Sequence, residues 1–138
     1  MTGACHIANR ARIFHGPGIG CLALLALGGM AQASQPISTS LTECNVIFSE
    51  LAVIGEARGK SQDEIAAITR SATVFLDAAF AQAKHEGQPD AYEHVRSDLH
   101  RLTDKWDGRF SRITLLNENM EWIKYCRALG KDRGLELP

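Results

Sequence analysis

The sequence has no excess of charge of either sign. Over 138 residues, 15 Lys plus Arg stand against 16 Asp plus Glu, a formal net charge of −1. A general nucleic-acid binder needs a basic face and a disordered tail needs high net charge with few apolar residues, so both classes are excluded. Aromatic residues make up only 7% of the chain, and there are four prolines and four cysteines. Neither collagen nor a low-complexity chain has such a composition. The signatures of catalysis are missing as well. There is no G-x-S-x-G, no Walker loop and no dinucleotide fingerprint, and no serine stands in a recognisable arrangement with a base and an orienting acid. C-x-x-C and C-x-x-C-H are absent, which excludes a thioredoxin-like redox site and covalent haem.

What is present begins with an address. Residues 1–17 carry Arg10 and Arg12 and no acid, an apolar stretch runs from Gly18 to Met30, and Ala31-Gln32-Ala33 follows. A basic start, a short apolar core and an A-x-A site are the three parts of a cleaved secretory signal peptide, here residues 1–33. The apolar stretch is about 14 residues, short of the roughly 20 that cross a bilayer, which disfavours the alternative of an uncleaved anchor. Cys21 lies near the start of that stretch, whereas a lipoprotein cysteine would close it, and there is no twin arginine. Cleavage removes Arg10 and Arg12 and no acid, moving the net charge from −1 to −3. The mature chain, 34–138, is expected to be a single domain, periplasmic or secreted, with no further span and no stable membrane anchor.

Two cysteines survive cleavage, Cys44 and Cys126. An even number in an exported chain points to a disulfide, the alternative being two separate buried thiols. A ring of that size restricts the unfolded chain by about 4 kcal/mol in the entropic account, a useful contribution where the core is small.

Hydrophobic periodicity divides the mature chain into four helices, at about 40–55, 61–85, 90–107 and 110–130. Ser40-Leu41-Thr42-Glu43 and Ser61-Gln62-Asp63-Glu64 read as capping boxes, and Asp90 as a third cap. Behind the first cap, Cys44, Ile47, Phe48, Leu51 and Ile54 recur at helical spacing, with Gly55 or Gly59 as the stop. Ile65, Ile68, Ala72, Phe75, Leu76, Ala79 and Ala83 line one face of the second helix. Tyr92, Val95, Leu99, Leu102 and Trp106 form the cleanest seam. Phe110, Ile113, Leu116, Met120 and Ile123 continue the pattern into the last helix, which starts near Phe110 or near Asn117 and stops at Gly130. The tail from Asp132 is expected to fray. With no alternating β pattern and short joints, the reading is all-α: a small antiparallel up-down-up-down four-helix bundle stapled by Cys44–Cys126. Cys44 near the start of the first helix and Cys126 near the end of the fourth would meet at one end of an even-numbered bundle.

Candidate sites are few. His94 and Asp98 are one turn apart and would supply two ligands to a metal, although a surface salt pair is the commoner use of that spacing. No H-E-x-x-H supports the metal, and no Glu-x-x-His supports a di-iron centre. Met120 on the apolar face has no opposed histidine for haem. The carboxylates Asp104, Asp107, Glu118 and Glu121 are read as solvated. Trp122 and Tyr125, three apart and beside Cys126, would anchor a partner if exposed or close a helix boundary if packed. The expectation is an exported binding module without catalytic activity or cofactor. Its partner would be another envelope protein or an unfolded client, as for a periplasmic chaperone. The rival is a ligand-, metal- or haem-binding bundle with a pocket near His94.

Overall fold

A computed structural model describes residues 35–112 and 116–138 of the chain, and the expected signal peptide lies outside them. The described residues form four α-helices and one 3₁₀ turn and contain no strand. These are α1 (Ile37–Ala57), α2 (Gln62–His85), α3 (Ala91–Trp106), the turn Arg109–Ser111, and α4 (Leu116–Asp132). The fold is an all-α bundle cross-linked by Cys44–Cys126, whose Cα atoms are 5.5 Å apart.

The first helix starts earlier than its sequence signals suggest. Pro36 occupies the N-cap, where its fixed φ and missing N–H cost nothing, and no side chain of the local sequence caps the end. Ser40 and Glu43 are therefore inside the helix and do not form a capping box. The cap comes from elsewhere: Glu86, just past α2, accepts from the Ser38 backbone N–H at 3.1 Å. A carboxylate there also faces the positive end of the α1 dipole.

Every residue from Ser38 to Phe48 is buried, so the N-terminal half of α1 has no solvent face. That requires each polar group to be satisfied inside the protein. Thr39 Oγ1 donates to Asp98 at 2.6 Å, Thr42 Oγ1 to the Ser38 carbonyl at 2.9 Å, and Asn45 Nδ2 to the Ala72 carbonyl at 2.8 Å. By length and composition alone α1 is long and apolar enough to cross a membrane, with a window of mean hydropathy 1.2. Yet 61% of that window is buried inside the protein, as in the core helix of a bundle.

The second and third helices follow their sequence signals. Ser61 accepts from the Glu64 N–H while the Glu64 carboxylate accepts from the Ser61 N–H, a complete capping box. Asp90 accepts from the Glu93 N–H. Ala72, Phe75, Ala79 and Ala83 are buried, and the three alanines let α2 lie close to α1. Phe48 and Phe75 meet across that contact with ring centres 5.4 Å apart. On α3, Val95, Leu102 and Trp106 are buried as expected, while Tyr92 is 65% exposed and stacks on Phe80.

The last helix is where the periodicity misleads. It begins at Leu116, and Phe110 belongs to the preceding 3₁₀ turn, stacked on Trp106 at 5.4 Å. Leu116 and Met120 are exposed, and the buried positions are Asn119, Cys126 and Gly130. Gly130 does not end the helix. It lies inside α4 where a Cβ would stand 2.7 Å from Leu137 and 3.4 Å from Phe75, too close for any larger residue without displacement. The stop is Gly134 at φ +67°, with Leu135 N–H bonded to the Gly130 carbonyl and Gly134 N–H to that of Lys131. The tail then folds back, and Leu135 and Leu137 pack on the core instead of fraying.

Side-chain pairings give the sense of the helices. Ser38 with Glu86, Asn45 with Ala72 and Gly55 with Ile65 run oppositely along α1 and α2. Ser38 with His94, Thr39 with Asp98 and Glu43 with Trp106 run together along α1 and α3. Along α4, Trp122 meets Trp106 of α3, Cys126 is bonded to Cys44 of α1, and Gly130 faces Phe75 of α2. The fourth helix thus touches the other three within little more than two turns. The staple joins the interiors of α1 and α4, not their ends as the helix-parity argument supposed.

Candidate functional site

An aromatic chain connects the core to the outer face of α4. Trp106 is fully buried at the end of α3, and its Nε1–H donates to Glu43 Oε1 at 2.9 Å. Lys105 Nζ donates to the same oxygen at 2.6 Å, so the buried Glu43 carboxylate has both a charge partner and a neutral donor. Trp122 stands edge-on to Trp106 with centres 5.5 Å apart, and Tyr125 edge-on to Trp122 at the same separation. Lys105 Nζ also lies 5.0 Å from the centre of the Trp122 ring. Aromatic edge contacts contribute about 0.5–1.5 kcal/mol each beyond the area they bury, and a cation over an indole a similar amount. These contacts fix the half-buried Trp122.

Tyr125 is 44% exposed at the end of this chain, next to the disulfide. Together Trp122 and Tyr125 wall a surface cleft of about 330 Å³, with Glu118 and Glu121 completing its lining. Glu118 is ion-paired to Arg109, and Glu121 to Lys124 at 2.7 Å. The second pair is exposed on both sides and contributes close to nothing in water, so the aromatic contacts, not that pair, hold the cleft's shape. The two expected anchor residues are therefore in contact with one another, Trp122 tied inward and Tyr125 presented to solvent.

The other sequence candidate, His94 with Asp98, sits in a polar cluster at the start of α1. His94 Nε2 lies 3.1 Å from Ser38 Oγ and 3.6 Å from Asp98 Oδ2. Ser38 Oγ–H and its backbone N–H are both directed at Glu86, which Gln82 also supports. Asp98 receives Thr39 and Arg101, the latter at 2.7 Å. The residue types of a hydrolytic triad are present, but the geometry is not. In a triad the two ring nitrogens face the acid and the nucleophile separately, whereas here Nε2 faces both. Ser38 is also fully buried and has no access for a substrate. No group of three or more His, Cys, Asp or Glu side chains placed to hold a metal occurs among the described residues. The lone pairs of Asp98 and Glu86 are engaged in tying α1 to α2 and α3.

Burial raises the Glu86 carboxyl, but the bonds from Ser38 and Gln82 outweigh it and hold the group below its ordinary range. Glu50 moves the other way, raised by burial and by Asp107. Glu64 is pulled down to about 2 by Lys60 and by the Ser61 cap.

Sequence reasoning missed Glu43, Ser38 and Glu86. Glu43 was masked by its resemblance to the last residue of a capping box. The signal that identifies its position is Pro36, which starts the helix early enough to carry Glu43 into the interior. Compared with protein-family models, with curated proteins and with solved structures, the chain matches none.

Proposed function

We propose that the mature chain is an exported helical module that binds a protein partner through the Trp122–Tyr125 cleft and has no catalytic activity. The cleaved leader, residues 1–33, and the disulfide fit an oxidising compartment outside the cytoplasm. The observation that carries the binding reading is the exposed Tyr125 ring standing on Trp122, which is itself braced by Trp106 and the adjacent cross-link. Rigid aromatic anchors lose little conformational entropy on binding and dominate the energetics of interfaces. The partner is another envelope protein or an exposed apolar segment of an unfolded client.

The test is site-specific photocrosslinking in the native envelope, with a photoreactive phenylalanine at position 125 and a control at exposed Asp77 on α2. A discrete adduct at 125 that is absent at 77 supports the reading. Tyr125→Ala should then weaken the isolated complex about tenfold or more, on the scale of an interface anchor, while thermal unfolding falls only by the loss of one aromatic edge contact. No adduct at 125, or equal adducts at both positions, overturns it.

A further inference from the structure

One cavity of the bundle lies away from the aromatic cleft. It has a volume of about 530 Å³ and opens between α1, α2, α4 and the returning tail. Phe48 and Ser71 form its inner side, Leu135 and Leu137 its tail side, and Arg127 and Lys131 line it from α4. That volume falls within the range of small-molecule sites.

Three features distinguish it from an ordinary surface dent. First, Arg127 and Lys131 lie one turn apart on the same helix, a like-charge spacing that is unfavourable in isolation. Second, neither makes an ion pair with any described residue. The α4 dipole accounts for a cation in the last turn, but not for two cations bordering one cavity. Third, Phe48, Leu135 and Leu137 give the cavity an apolar part, beside Ser71, Gly134 and Pro138. Leu135 and Leu137 are packed on the core. Two cations on one helix beside the apolar side chains of Phe48, Leu135 and Leu137 suit a ligand with an anionic head and an apolar tail.

We propose that this cavity is a binding site for an amphipathic carboxylate. Arg127 and Lys131 receive the carboxylate, the guanidinium offering two parallel N–H donors. The alkyl chain lies against Phe48, Leu135 and Leu137. The site is separate from the Trp122–Tyr125 cleft and stands without it.

The experiment is calorimetric titration of the disulfide-intact mature chain with decanoate below its micellar concentration. Acetate supplies the head without the tail, and decyltrimethylammonium supplies the tail with the opposite charge. Saturable one-to-one binding of decanoate alone is expected. Replacing both cations, Arg127→Gln with Lys131→Gln, should weaken it about tenfold or more, on the scale of one to two charge-assisted hydrogen bonds. Both side chains are exposed, so this variant keeps the fold. Leu137→Asn should weaken it too, and Tyr125→Ala should leave it unchanged. The proposal is overturned if decanoate does not bind, if the cationic amphiphile binds as well, if the double variant binds like the parent, or if Tyr125→Ala abolishes binding.

Discussion

Glu86 shows how a single side chain changes meaning between the sequence and the fold. In the sequence it is one residue of the break after the second helix. In the structure its carboxylate closes the start of α1 by taking the Ser38 N–H and hydroxyl. Because the folded state holds this carboxyl below its ordinary value of 4.5, its contribution to stability is complete above that pH and fades as the pH falls through the folded value. Glu50, raised in the fold, has the opposite sign and gives up its contribution as the pH rises past 4.5. Glu86→Gln isolates the first effect. Urea denaturation should show the variant clearly less stable than the parent at pH 7 and the gap narrowed at pH 3, since Glu50 is common to both. A gap independent of pH would show that Glu86 contributes through packing alone. Glu43 belongs to the same class of residue. Its burial is tolerated because Lys105 and Trp106 satisfy it, and an unpaired carboxylate at that depth would cost several kcal/mol.

At the scale of the element, the helices whose ends are set by their own residues were legible. The box of Ser61 and Glu64 and the cap of Asp90 lie where local chemistry places them. Ser61→Ala should cost about 1 kcal/mol in thermal or chemical unfolding, the usual loss for a capping hydroxyl. A change below the error of the measurement would mean that α2 is held by its packing on α1 and not by its cap. The helices whose bounds were misjudged are those whose partners lie far away in sequence. The N-terminus of α1 is capped by a side chain 48 positions downstream of Ser38, so no local capping side chain marks its start. Its amphipathic pattern is weak because its N-terminal half is surrounded. The run from Phe110 through Leu116 and Met120 has helical spacing, but the chain turns at Gly108 into the 3₁₀ turn Arg109–Ser111, and α4 spans Leu116–Asp132. Phe110 is thereby given to Trp106, and Met120 to solvent.

At the scale of the whole molecule, the staple holds α4, the element that reaches from α3 across α1 to α2. Closing a ring of 82 residues restricts the unfolded chain by about 4 kcal/mol in the entropic account. Cys44→Ser should therefore lower the unfolding midpoint under oxidising conditions to that of the reduced parent, and reductant should then have no further effect on the variant. Equal stability of the parent with and without reductant would show that the cross-link contributes nothing to equilibrium stability. The sequence alone determined the all-α class, the number of helices and the Cys44–Cys126 pair. All of these rest on periodicity or on parity of cysteines, which are properties of the chain read in order. Only the tertiary structure decided that α1 is the central rod, that Glu86 caps it, that Glu43 is interior and that the tail returns to cover Gly130. Each of these depends on which distant group arrives to satisfy a buried polar atom or fill a gap, and that partner is chosen by packing in three dimensions.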